Sequence, residues 1–325
     1  MNISRRRALV IGIDDYPEGL KLHCCANDAS VIANLLEHNE DGSRNFDVEK
    51  PEITDQSHLK MHIEKLFEGN GDVALLYFAG HGTRSKTGGH LVTPDYDAYN
   101  PGVSMTDLAS FMSDSEWNNK IAILDCCNAG AMGDFMSAEE TCILKDGMTI
   151  MSACDRDESA TECDGHGIFT HLLIEGLKGG AADLSGSVTP GGLYAYIDKS
   201  LGAWSQRPVF KTNVSNFVCL RGVTPPIDRK TLSETIALFE DRDSIFRLDP
   251  SFEFTNNPDY KNELKEPYCI EKNVKKLKTL QKLESVGLVV PVEEEHMYFA
   301  AMNSGTCKLT PLGKYYWKLA KEGRI

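Results

Sequence analysis

The sequence predicts an α/β protein, with a mostly parallel sheet covered by helices on both faces and a small α+β unit after it. Short apolar runs of strand length ("RALVIGI", "DVALLYFAG", "KIAILDCC", "GMTIMSAC", "VSNFVCLR") alternate with longer segments of helical period. The inner runs are apolar at nearly every position, as strands buried on both faces are. Pro225-Pro226 then breaks the alternation, since it can continue neither a helix nor a central strand.

In chain order, "RALVIGI" is the first core strand, ended by Asp14-Asp15. Asp28 and Ala29 lead into a helix whose apolar stripe is Val31, Ile32, Leu35 and Leu36, and Ser57 opens a second over "HLKMHIEKLF". "DVALLYFAG", "KIAILDCC" and "GMTIMSAC" supply the next strands, "GIFTHLLIEGL" a helix, and "VSNFVCLR" a last strand. Such β-α-β alternation gives parallel strands joined by crossovers, with chemistry gathered at their carboxyl ends.

Residues 1–222 form one expected domain and residues 223–325 a second; 325 residues exceed what one core usually holds. In the second, Ile270, Val274, Leu277, Leu280 and Leu283 make a helical stripe ending at Gly287. "LVVPV" and "HMYFAAM" around Glu293-Glu294-Glu295 read as a hairpin, and "LTPLGKYYWKLAKEG" as a closing helix with Thr310 as N-cap and Pro311 first. Helix, two-stranded wing and helix resemble a winged-helix domain.

The net charge of −14 belongs to the first domain. From residue 225 onward 16 Lys+Arg balance 16 Asp+Glu, whereas the first 224 residues hold 18 against 32. That acidity argues against a grip on nucleic acid and suits cationic ligands. No apolar run reaches the ~18–20 residues a membrane helix needs, and Ala8–Ile13 is too short for a signal segment, so a cytoplasmic protein is expected. Its ten cysteines are then mostly reduced core residues; with no CxxC, a thiolate zinc site has no support.

Two strands finish unusually. His81, between Gly80 and Gly82, follows "VALLYFA", and Cys127 follows "AILDC" at the same relative place 46 residues later. Neighbouring parallel strands would bring imidazole and thiol together, the working pair of a cysteine hydrolase. The N–H groups of Gly82 and Cys127 could then hold the oxyanion. Alternation along a strand sends Asp125 and Cys127 to one side and Cys126 to the other, where it packs inert.

"YFAGHG" followed by "DCCNAG" resembles the caspase and metacaspase peptidase family. "ALVIGIDDYP", "LHCCANDASVIANLL", "LVTPDYD", "SACDRDESATEC", "HGIFTHLLIEGLKGGAAD" and "QRPVF" fall in the family's order too, so the resemblance spans residues 5–221. It implies a caspase-like sheet and a cysteine endopeptidase without metal or organic cofactor. Cys127 is the implied nucleophile and His81 the general acid/base. It also implies a pocket for arginine or lysine at P1, built from Asp125 with Asp28 of the Cys25-Ala26-Asn27-Asp28 block, a guanidinium being held bidentately. Asp28 could instead serve only the dipole of its helix.

Asn128-Ala129-Gly130 stands where the family has His-Ser-Gly, and Ala79 where it has serine. The loop after His81 lacks the acidic insertion of calcium-dependent members, with Asp134 as one remaining acid, so calcium activation is not carried over. Ala131–Gly147 reads as a flexible loop in which Lys145 is a candidate self-cleavage site.

Five lysines (272, 275, 276, 278 and 282) crowd one helix of the second domain, yet its neutral balance and "EEE" at the wing tip disfavour DNA. Bacterial relatives join the peptidase to such a module, which implies a protease triggered by a nucleotide signal or partner protein, in antiphage or stress defence. The rival readings are an idle caspase-like scaffold or sensor, and a DNA-binding regulator.

Overall fold

In a computed structural model, the apolar run at the N-terminus forms β1 (Arg6–Gly12), the strand on which the first unit is built. The structure describes residues 5–85, 88–97, 99–126, 144–153, 162–163, 166–201, 208–261 and 263–324, with the backbone alone for residues 162, 163, 166 and 236. The chain divides into two units, Met1–Thr224 and Pro225–Ile325.

After β1 come α1 (Cys25–Glu37), β2 (Asp47–Glu49), α2 (Gln56–Phe67) and β3 (Val73–Ala79). A small antiparallel sheet of β4 (Gly82–Ser85), β5 (Gly88–Leu91) and β6 (Val103–Ser104) precedes α3 (Met105–Asp114). Then follow β7 (Asn119–Asp125), β8 (Met148–Ser152), the short pair β9 (Glu162–Cys163) and β10 (His166–Gly167), and α4 (Ile168–Glu175). β11 (Ser187–Val188), α5 (Pro190–Leu201), β12 (Val209–Asn213) and β13 (Arg221–Gly222) complete the unit.

The main sheet has the order β12-β8-β7-β3-β1-β2, and every pairing is parallel except β12 with β8. Alternate residues feed two cores. Leu9, Ile11, Leu76, Phe78, Leu124 and Cys126 pack with α2 and α3 on one face. Val10, Leu75, Tyr77, Ile121 and Ile123 pack with α1, α4 and α5 on the other. Both faces are covered, which is why β3 is apolar and buried at all seven positions.

Three expectations for this unit need correction. "VSNFVCLR" is not a strand up to Leu220: Arg6 donates to the Cys219 carbonyl and Asn45 to that of Leu220 (2.7 Å), so side chains occupy the acceptors a ladder would use. The sheet's last strand is the preceding segment, β12. The N-cap of α2 is Asp55, whose carboxylate accepts from the His58 N–H at 2.9 Å, rather than Ser57. And α1 begins at Cys25 because Asp14 accepts from the Cys25 and Ala26 N–H groups at 2.9 and 3.1 Å, capping the helix from a distance.

The second unit comprises α6 (Arg229–Leu238), β14 (Ile245–Arg247), α7 (Glu271–Ser285), β15 (Val289–Val292), α8 (Met297–Met302), β16 (Thr306–Leu309) and α9 (Pro311–Lys321). Its antiparallel sheet has the order β14-β16-β15. Of the expected stripe, Leu277, Leu280 and Leu283 are buried on α7 and Val274 is half-buried, whereas Ile270 precedes the helix and is exposed. Thr310 caps α9, accepting from the Gly313 N–H at 3.0 Å. "HMYFAAM" is a helix, not the second arm of a hairpin. Met297, Ala300 and Ala301 are buried at spacings of three and four while Tyr298 and Phe299 are exposed, a helical period. The arm that pairs with β15 is β16.

Candidate active site

The chain runs from β1 outward to β2, then returns across β1 to β3 and continues the other way, so the direction of winding reverses between β1 and β3. A crevice opens at such a reversal, beyond the carboxyl ends of the strands. His81 stands there. Its backbone N–H donates to the Tyr16 hydroxyl at 2.9 Å, and that hydroxyl donates to the Val92 carbonyl at 3.3 Å. The two rings lie 4.7 Å apart. Gly80 makes this approach feasible, since a Cβ there would sit 2.4 Å from the Tyr16 oxygen. Burial pushes the Tyr16 phenol far up, so it stays neutral and keeps both roles.

His81 Nε2 lies 2.7 Å from the Leu20 carbonyl. A carbonyl only accepts, so Nε2 carries the proton and Nδ1 keeps the lone pair. An imidazole anchored through one nitrogen, with the lone pair on the other, is the arrangement a general acid/base requires.

The strand beside β3 is β7, in a register that pairs Ala79 with Asp125, and the Gly80 N–H donates to the Asp125 carbonyl at 3.2 Å. Counting two residues onward from that pair reaches His81 and Cys127. Cys127 lies outside the described residues, as do Asn128, Ala129, Gly130 and Asp134. Cys126 is buried against the α2 and α3 side.

Asp125 turns to the opposite face and is buried. The Thr170 hydroxyl, from α4, donates to its Oδ2 at 2.6 Å, and the Tyr77 hydroxyl lies 2.7 Å from Thr170 Oγ1. With Thr170's one proton on the carboxylate, Tyr77 donates to Thr170, and the chain Tyr77–Thr170–Asp125 is complete. Burial raises the Asp125 carboxyl to about 6, the Thr170 hydrogen bond opposes it, and the like charge of Asp28 adds to the rise. Asp28, at 2% exposure, is buried in the first turn of α1. Cys25 completes the group: burial, then Asp14, Asp125 and Asp28 in that order, hold its thiol far above the ordinary range, so it is no nucleophile.

The structure therefore brings Cys25, Asp28 and Asp125 together, and sets His81 with Gly82, the first residue of β4, at the neighbouring strand end. Lys145 stands apart. It precedes the turn into β8, with its Nζ 3.1 Å from the Ser113 carbonyl and 3.3 Å from Asp114 Oδ1. Sequence reasoning missed Tyr16, the Leu20 carbonyl, Asp14 and the Tyr77–Thr170 pair. Only Asp14 left a trace, as one of the two acids that end the first strand. An open cavity of about 340 Å³ between β1, β2 and α2 holds neither His81 nor the acid pair, and is not this site.

Among the described residues no helix is long and apolar enough to cross a membrane. A profile of the caspase domain family matches residues 5–211. A protein from Geobacter sulfurreducens superposes with a TM-score of 0.48 at 16% identity, over 65% of this chain and 94% of its own. Caspase-1 from Spodoptera frugiperda superposes with a TM-score of 0.49 at 13% identity, over 68% of this chain and 91% of its own. No curated protein matches the sequence.

Proposed function

As the chain belongs to the caspase domain family, of cysteine-peptidase type, we propose that it is an endopeptidase that cuts proteins after arginine or lysine. Asp28 and Asp125 form the P1 pocket beside Cys25. The observation that carries the specificity is the burial of these two interacting carboxylates one strand end from His81. Two negative charges held out of water repel each other, and a guanidinium between them satisfies both.

In this reading the Cys127 thiolate attacks the scissile carbonyl, and the N–H groups of Gly82 and Cys127 take the oxyanion. His81, anchored through Nε2 by the Leu20 carbonyl, takes the Cys127 thiol proton on Nδ1 as the thiolate forms and gives it to the leaving amine. Water then hydrolyses the thioester.

Two separate units support regulation, with the second as a winged-helix-like module that senses a nucleotide signal or docks a partner protein. The lysines of α7 support that reading over DNA binding. Lys275 pairs with Glu271 at 2.6 Å and Lys282 lies 4.0 Å from Asp228; Lys276 and Lys278 lie over the rings of Phe246 and Phe254. The proposed setting is cytoplasmic, in antiphage or stress defence, with self-cleavage after Lys145 once its side chain leaves Asp114.

The test is cleavage of peptides with Arg, Lys or Asp at P1, in EDTA and in calcium, with and without lysate of stressed cells as trigger. Cleavage after Arg and Lys that dies in Cys127→Ala is expected. Cleavage after Asp overturns the acid pocket, and silence throughout overturns the peptidase reading. A mass spectrum showing only intact chain under active conditions removes the Lys145 site.

A further inference from the structure

His58 and His62 are one helical turn apart on α2, and nothing in the proposed reaction uses them. Their spacing of four puts both rings on one face of the helix. The Nε2 atoms face each other at 3.0 Å, with ring centroids 4.7 Å apart.

The other nitrogens settle where the protons are. Thr54 Oγ1 donates its one proton to Asp55 Oδ2 at 2.9 Å, so toward His58 Nδ1, 3.3 Å away, it accepts. His58 therefore carries its proton on Nδ1. His62 Nδ1 lies 2.9 Å from Glu49 Oε1, on β2. That nitrogen is buried and the carboxylate stands off the N–H axis, so the contact is electrostatic rather than an aligned hydrogen bond. A carboxylate still draws the N–H to its side in preference to a lone pair. With both rings neutral, the two Nε2 lone pairs point at each other at hydrogen-bond distance. Two lone pairs repel at that range unless an electrophile lies between them.

We propose that this electrophile is a divalent first-row transition ion, and that His58 and His62 make a metal site at the β2 edge of the first unit, with Glu49 positioning the His62 ring. With metal–nitrogen bonds of about 2.0–2.1 Å, nitrogens 3.0 Å apart subtend about 94° at the ion, close to an octahedral angle and short of a tetrahedral one by a small opening. Nδ1 protons held by a carboxylate and a hydroxyl are what orients metal-bound imidazoles. Imidazole donors suit zinc, nickel and copper. Glu49 Oε1 is shared with Lys65 Nζ at 3.4 Å, so it acts on His62 and not on the ion. Among the described residues no group of three or more metal-binding side chains occurs, so the ion keeps the two imidazoles and water.

The test uses the full-length Cys127→Ala chain, which removes the proposed catalytic thiol as a competing ligand, after EDTA treatment. Zn²⁺, Ni²⁺ and Co²⁺ are titrated by calorimetry, with Co²⁺ absorption as a second readout. One ion per chain is expected, lost in His58→Ala and bound roughly 10–100-fold more weakly in Glu49→Gln. In the chain with both histidines intact, Zn²⁺ should move the ¹⁵N resonances of two Nε2 atoms and leave their Nδ1 atoms protonated. No binding at millimolar metal overturns the proposal and leaves a shared proton between the rings. Binding unchanged in a folded His58→Ala chain overturns it by placing the ion elsewhere.

Discussion

Replacing Asp125 by asparagine should make the protein more stable and the enzyme worse. The carboxyl rises from an ordinary 3.8 to about 6, with burial the largest cause. A shift of about two pKa units corresponds to about 3 kcal/mol by which the fold disfavours the ionised group. The sign follows from linkage: this penalty is complete above pH 6, fades as the pH falls, and is absent below 3.8, where folded and unfolded chains are both protonated. Asparagine keeps an oxygen for the Thr170 hydroxyl and removes the charge. In a unit of this size about 3 kcal/mol raises the melting temperature by about 6–12 °C. Calorimetry at pH 8 should show that gain, and at pH 4 almost none. For Arg substrates, losing one carboxylate of a buried charge pair costs about 2 kcal/mol or more, so kcat/KM should fall at least about 30-fold. An Asp125→Asn chain that melts at or below the parent temperature at pH 8, or whose gain persists undiminished at pH 4, refutes the reasoning.

Cys127→Ala should abolish cleavage in the peptide assay, whereas Cys126→Ala should retain it and lose about 1 kcal/mol of stability in denaturant titrations, because Cys126 sits in the core; equal loss of activity in both would reassign the nucleophile. Tyr16→Phe removes the hydroxyl that accepts from His81 and donates to Val92, so kcat should drop with KM little changed, at a cost of about 1–3 kcal/mol in stability. An unaltered kcat would show that Tyr16 does not position His81. Thr170→Val deletes the hydrogen bond that lowers the Asp125 carboxyl. The acid limb of the pH profile for Arg substrates should therefore move upward, and a limb that stays in place would detach Asp125 from the pocket.

The sheet was legible because its strands are buried on both faces, which leaves an unbroken apolar record in the sequence. Two of the mistaken elements fail for one reason: each is apolar, and its form is decided by contacts the local pattern does not show. "VSNFVCLR" reads as a strand until Arg6 and Asn45, far away in the chain, take its carbonyls. "HMYFAAM" fits both periods over so short a run, and only the buried Met297, Ala300 and Ala301 choose the helix. At the site, His81 and Asp125 stood out because glycines or an acid at a strand end have no use in a core. Tyr16 and Thr170 did not, since each looks like ordinary filler until the fold places its hydroxyl. The Leu20 carbonyl is beyond sequence reading altogether, because a backbone acceptor has no residue type.

These contacts divide the site into two electrostatic regimes separated by one strand spacing. His81 is held by neutral groups, a phenol and a carbonyl, which fix its orientation without adding charge. Asp125 is held by a neutral hydroxyl chain beside a second acid, an arrangement that leaves its negative charge poorly solvated. Were the acids merely structural, a lysine or arginine would be the cheapest partner for Asp125; among the described residues its direct side-chain partner is a threonine. Under the proposed P1 assignment, a buried carboxylate held by a neutral hydroxyl is destabilising while the pocket is empty and most favourable when a basic side chain enters. In the proposed reading, the binding energy of P1 is then realised where the backbone of Gly80 meets that of Asp125, beside the imidazole of His81.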